Sequence, residues 1–334
     1  MKSVIIISIE IIVLSICLAS ASLAQNPICA ENSSPYRDLD FLIGDWEFYS
    51  NKGNLIANQT YHKKEQGCLI LEDWKTISGE TGTGMNFFDP ETKKWRQVWM
   101  SPRFHIDYSG GINESGDFIL EGKMHPNNGE PGSAIKGIYT RNKDGSITKE
   151  FLKYDDKENN WKRFFIGIAR KSQESLEKND LVKSKEKFKS CHATHELSAA
   201  LNFLPGKYNY YLGDGKKIGQ TEYKIVSGGC AILEQFKNNN GELSIGVLNL
   251  DVNRSKWRHF WSSKRFTFEV FGGPNSDEDL FFEGDIVNHS SGEKSPFRGT
   301  WFIDNKGNVK HTYEIYDLKS ESWRLFLSDV SEKI

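Results

Sequence analysis

The chain has 334 residues, and 43 lysines and arginines stand against 45 aspartates and glutamates, for a formal net charge of −2. A surface so balanced offers no basic field to a nucleic-acid backbone, so no nucleic-acid partner is expected. Aromatic residues make up 13% of the chain and charged residues 26%, the composition of a folded protein rather than a disordered one.

The chain opens on Met1-Lys2 and an apolar run from Val4 to Leu18, followed by the small residues Ala19-Ser20-Ala21-Ser22-Leu23-Ala24. Residues 1–24 are read as a signal peptide cleaved after Ala21 or Ala24. A secreted or periplasmic protein follows from it. No second stretch is long and apolar enough to span a bilayer, so no transmembrane segment is expected in the mature chain.

Past this leader the sequence repeats. Gly67-Cys68-Leu69-Ile70-Leu71-Glu72, Asp89, Lys94-Trp95-Arg96 and Trp99 return as Gly229-Cys230-Ala231-Ile232-Leu233-Glu234, Asp251, Lys256-Trp257-Arg258 and Trp261, every pair 162 positions apart. The offset holds without drift from Phe41-Leu42-Ile43-Gly44 and Phe203-Leu204-Pro205-Gly206 to Trp161 and Trp323. This is a tandem duplication of a unit long enough to bury its own core. The expected domains are 25–171 and 191–334, joined over 172–190 by a solvated linker dense in Lys, Glu and Ser.

Within the first unit, short alternating runs recur about every ten residues between turn-forming residues. Strands are predicted over 46–50, 55–62, 68–76, 82–88, 95–100, 103–109, 117–123, 134–141, 146–154 and 161–169. Asn51-Lys52-Gly53, Asp89-Pro90-Glu91-Thr92 and Lys143-Asp144-Gly145 have hairpin turn chemistry. The fold class is therefore all-β: two tandem antiparallel up-and-down barrels of about ten strands. Closure removes the sheet edges. A two-sheet sandwich is the alternative. Residues 35–42 and 194–203 are predicted as short helices that plug one end of each barrel.

Export makes the cysteines readable. Cys29 and Cys68 are 39 positions apart, as are Cys191 and Cys230. One disulfide per domain is predicted, each closing a loop worth about 4 kcal/mol by chain entropy. The only close cluster of metal-ligand type, Cys191-His192 with His195, has no counterpart in the first unit. No metal and no cofactor is expected. Asn-x-Ser/Thr triplets stand at Asn32, Asn58, Asn113, Asn253 and Asn288; they would carry glycans only in a eukaryotic source.

The stretch Phe41-Leu42-Ile43-Gly44-Asp45-Trp46 puts a Gly-x-Trp at the start of the first strand. Gly67-Cys68 with Glu72 and Trp74, and then Phe88-Asp89-Pro90 with Lys94-Trp95-Arg96, follow in order. The set resembles lipocalin-like (calycin) barrels, in particular a secreted bacterial domain family with no settled activity. The second unit departs from it with Tyr208 in place of Trp46. The resemblance implies a lumen that binds small hydrophobic molecules. In the nitrobindin-like branch a histidine late in the barrel holds haem. Here the corresponding strands offer His311 in the second unit and none in the first.

Side chains alternate across a strand. Trp95, Gln97 and Trp99 share one face, as do Trp257, His259 and Trp261. Aromatic area around one polar group is what a small-molecule pocket needs, so these six are lumen candidates, together with Glu72 and Glu234. The alternative is that the tryptophans simply fill the barrels. Glu72 lies on a face with Ile70 and Trp74, and Glu234 on a face with Ile232 and Phe236. If inward, each acid needs a partner. Arg96 and Arg258, or Lys136 and Arg298, are candidates. No nucleophilic triad, phosphate loop or His-x-x-x-His pair is present. Binding of a small, largely apolar molecule is thus set against an enzyme using a lumenal Glu or His, and against a packed interaction module.

Overall fold

The computed structural model describes residue 29 and residues 35–172, 195–276 and 279–334. The predicted signal peptide, residues 173–190 of the linker and Cys191 lie outside the described residues. Twenty strands form two closed meanders. The first barrel holds β1 (Gly44–Ser50), β2 (Leu55–Lys64), β3 (Leu69–Thr76), β4 (Thr81–Asp89), β5 (Lys94–Met100), β6 (Phe104–Ile112), β7 (Phe118–Pro126), β8 (Ser133–Arg141), β9 (Ile147–Asp155) and β10 (Asn160–Lys171). The second holds β11 (Gly206–Leu212), β12 (Lys217–Val226), β13 (Ala231–Asn238), β14 (Leu243–Asp251), β15 (Lys256–Ser262), β16 (Phe266–Pro274), β17 (Leu280–Asn288), β18 (Lys294–Ile303), β19 (Val309–Asp317) and β20 (Ser322–Lys333). Each strand pairs with its neighbours in sequence. β1 closes on β10 with Phe48 opposite Ala169, and β11 closes on β20 with Tyr210 opposite Ser331. The sandwich is excluded, because closure leaves no edge.

The two predicted helices take the tighter 3-10 form, at Asp40–Leu42 and Glu196–Ala199. Their bonds run three residues back, as from Leu42 N–H to Leu39 C=O and from Ala200 N–H to Leu197 C=O. So few residues cannot establish the four-residue ladder of an α-helix. Leu39, Leu42, Leu201 and Leu204 are fully buried and close one end of each barrel. Trp46 Nε1 donates to Leu42 C=O at 2.6 Å, and Tyr208 Oη donates to Leu204 C=O at 2.9 Å. The Trp-to-Tyr exchange between the repeats therefore keeps the bond that ties the plug to the first strand. Cys29 and Cys68 are joined by a disulfide with Cα atoms 4.9 Å apart. Cys230 is also disulfide-bonded; Cys191, its expected partner, is outside the described residues.

The barrels lie against each other through equivalent faces. Leu69, Leu71, Met85, Phe87, Val98 and Met100 from β3–β5 pack on Ala231, Leu233, Ile245, Val247 and Phe260 from β13–β15. These strands are buried on both faces, which explains the unbroken apolar runs at 69–71 and 231–233. Beside this cluster is a ring of four charges. Arg96 donates to Asp107 at 2.8 Å and to Glu269 at 2.7 Å, and Arg258 donates to Asp107 at 2.8 Å. Arg258 also pairs with Glu269 at 2.5 Å. Burial pushes the Asp107 carboxyl up, but Arg258 and Arg96 more than offset this and hold it well below the usual carboxylate range.

Candidate functional site

Each barrel has one plugged end and one open end. The open end of the first leads to a cavity of about 440 Å³, walled by Phe48, Ile56, Trp74, Trp99, Phe104, Phe151 and Phe165 and floored by Glu72, Gln97, Tyr108, Tyr139 and Lys149. The second has a cavity of about 400 Å³, walled by Phe236, Trp261, Phe266, Phe268 and Phe297 and floored by Glu234, His259, His311 and Tyr313. Both fall within the range of small-molecule pockets.

The same row of three residues sits in both. Glu72 on β3 is opposite Gly84 on β4, which is opposite Trp99 on β5. Glu234, Gly246 and Trp261 repeat the row on β13–β15. The glycine is required by space: a Cβ at Gly84 would come within 2.9 Å of both Glu72 Oε2 and the Trp99 ring, and at Gly246 within 2.8 Å of Glu234 Oε2. Sequence reasoning missed these glycines, although their shared offset of 162 marks them.

In the first lumen the polar groups form a closed network. Glu72 Oε2 accepts from Gln97 Nε2 at 2.7 Å, and Glu72 Oε1 accepts from Gln59 Nε2. Lys149 Nζ donates to Gln59 Oε1 at 2.5 Å and to Tyr61 Oη at 2.7 Å. Tyr108 Oη donates to Gln97 Oε1, and Tyr139 Oη lies 3.2 Å from Tyr108 Oη. Burial pushes the Glu72 carboxyl up, while Lys149 and the bond from Gln59 oppose that shift. Burial pushes the Lys149 ammonium down, and Glu72 opposes it. The cation for Glu72 is thus Lys149, acting through Gln59. The four residues proposed from the sequence are elsewhere. Arg96 and Arg258 point out into the charge ring, Lys136 pairs with Glu121 at 2.8 Å, and Arg298 pairs with Glu314 at 2.7 Å. The physical reason is the strand alternation: Arg96 neighbours Gln97 and must face the other way.

The second lumen is built differently. Glu234 Oε1 accepts from Tyr223 Oη at 2.9 Å, and Glu234 Oε2 lies 3.0 Å from His259 Nε2. Trp301 Nε1 donates to Tyr313 Oη at 3.1 Å. His311 Nδ1 contacts Asp329 Oδ1, with both residues buried.

Among the sequence-predicted lumen residues, Glu72, Gln97, Trp99, Glu234, His259 and Trp261 line the cavities. Trp95 and Trp257 are buried at the plugged end instead, where Trp257 Nε1 donates to Leu197 C=O at 2.8 Å. Phe164 and Phe326 stand at equivalent positions by the open ends, where a shift of register in β10 against β9, and in β19 against β20, displaces the pairing. Phe164 is 49% exposed and meets Phe104 edge-on. Among the described residues the one group of metal-ligand type is Cys29, Cys68 and His289. Its two sulfurs are already bonded to each other, so it is not a metal site.

No protein-family profile matches the chain. No curated protein matches it. Among solved structures it is similar to a candidate outer membrane protein of Bacteroides fragilis NCTC 9343, at 9% identity and a TM-score of 0.21, over 89% of this chain and 99% of that one. It is also similar to a protein of unknown function from the DUF3598 family of Nostoc punctiforme PCC 73102, at 11% identity and a TM-score of 0.24, over 90% of this chain and 100% of that one.

Proposed function

We propose that this is an exported binding protein that takes a small, largely apolar molecule into the open lumen of one or both barrels. The observation that carries the reading is the pair of aromatic-walled cavities, each ending on the same Glu-Gly-Trp row. Aromatic walls supply apolar contact area, and the polar floor supplies direction. A barrel packed solid for interaction alone would not keep cavities of about 440 and 400 Å³. The Cys29–Cys68 disulfide supports export, since such bonds persist in oxidising compartments. The affiliation with calycin barrels is part of the same reading. It is supported by Gly44-Asp45-Trp46 standing at the plugged end, where Trp46 ties the first strand to the lead segment.

Native mass spectrometry of the protein purified from its own host, followed by solvent extraction, tests the reading. A co-purifying compound of low polarity, released on unfolding, is the expected result. A chain of bare mass that also fails to take up apolar compounds added in solution contradicts it.

A further inference from the structure

The two lumens differ at several positions, and one pair of them lies on the last two strands of each barrel. Lys149 and Gly167 of the first barrel correspond to His311 and Asp329 of the second. Lys149 is spent on Gln59 and Tyr61. A side chain at Gly167 is blocked, because a Cβ there would lie 2.3 Å from the Phe48 ring. In the second barrel Tyr210 replaces Phe48, and the acid is present.

His311 on β19 is opposite Asp329 on β20 in the register, so Nδ1 faces along the barrel wall. A carboxylate only accepts, so in the neutral ring the proton is on Nδ1 and Nε2 presents a lone pair. Nε2 is buried and has no hydrogen-bond partner, while the ring lines the cavity. The ring is 2% exposed and braced by Trp301 and Tyr210, with centroids 4.8 and 6.2 Å away. A fixed, buried acceptor beside an aromatic cavity selects a partner that donates.

Resting on the lumenal-binding reading above, we infer that the second barrel selects apolar molecules carrying a hydroxyl, such as phenols and aromatic or alicyclic alcohols, and that His311 Nε2 accepts the hydroxyl proton. The first barrel, whose polar floor is satisfied from within, does not share this preference. Asp329 is a positioning residue that sets the tautomer. A site built to bond a hydroxyl rejects the analogue without it, because the buried acceptor is then left unpaired.

The test is calorimetric titration of the full chain with 2-naphthol and its methyl ether, 2-methoxynaphthalene. The expected result is one site per chain that prefers 2-naphthol by about tenfold or more. The preference should fall below about twofold in His311→Phe. Asp329→Asn keeps the imidazole but can donate to Nδ1, which moves the ring proton to Nε2; it should abolish or reverse the preference. Lys162→Gln, exposed on the outside of the first barrel, should leave it unchanged. Equal binding of the two compounds, or a preference that survives both changes in the second barrel, overturns the inference and leaves lumenal binding standing. Failure of both compounds to bind counts against lumenal binding as well as against the inference. A Soret shift with haemin that is lost in His311→Phe would assign Nε2 to iron, and would also overturn it.

Discussion

Arg96 of the first barrel donates from Nη1 to Glu269 Oε2 of the second at 2.7 Å, and Arg258 and Asp107 complete the ring from equivalent repeat positions. The interface is thus self-complementary: the same face of one ancestral unit is used twice, as in a two-fold dimer.

Removing one member of the ring leaves the remaining charges unbalanced in a half-buried place. Glu269→Ala is expected to cost about 3 kcal/mol, read as a lower urea midpoint for the whole chain. An unchanged midpoint would show that the ring is electrostatically idle.

The first barrel alone, residues 25–172, should fold as an all-β domain and pair with a second copy of itself. Its face of Leu71, Met85, Phe87 and Val98 would otherwise be exposed. Sedimentation should show a dimer that Phe87→Lys dissolves. A folded monomer at tens of micromolar contradicts the symmetry argument, and a disordered chain would show that the second barrel is obligatory.

Stability should peak near neutral pH and fall on both sides. Burial pushes the imidazoles of His105 and His289 down to about 4. Their folded pKa lies below the unfolded 6.5, so the unfolded chain takes up protons first and stability is lost as pH falls from 6.5 towards 4. Glu65 works the other way. Burial, with Glu242 nearby, pushes its carboxyl up to about 9, and both of its oxygens lack partners. Its contribution is complete below 4.5 and is lost as pH rises through 9. Glu65→Gln should therefore raise stability at pH 8, by on the order of 2 kcal/mol, and do little at pH 4.5. Thermal melts across pH check this. A gain at pH 4.5 as large as that at pH 8 would remove Glu65 ionisation as the cause.

The fold was largely legible because the repeat and the strand alternation are local patterns. The closed order of ten strands follows from turns such as Lys143-Asp144-Gly145, which allow only a return to the neighbour. The site was half legible. Glu72 and Trp99 declare themselves by sharing a face with apolar residues. Their partners do not: Lys149 meets Gln59 across 90 positions of sequence, and alternation within β9 says only that Lys149 faces inward. The interface was written in the sequence as Leu69-Ile70-Leu71, apolar on both faces. Alternation reads such a run as a strand, but does not say what covers its outer side.

The central claim is lumenal binding, and one titration reaches it most directly. N-phenyl-1-naphthylamine, an uncharged probe that brightens in apolar surroundings, should bind the full chain saturably, with quenching of tryptophan emission. Trp99→Phe and Trp261→Phe each keep the cavity wall aromatic, so the fold should hold. Each should remove or weaken one class of site by about threefold to tenfold, as expected when an indole in contact with ligand is trimmed to phenyl. Saturable binding that falls stepwise in the single and double variants is the predicted result. Absence of saturable binding, or binding that both substitutions leave untouched, would contradict the account.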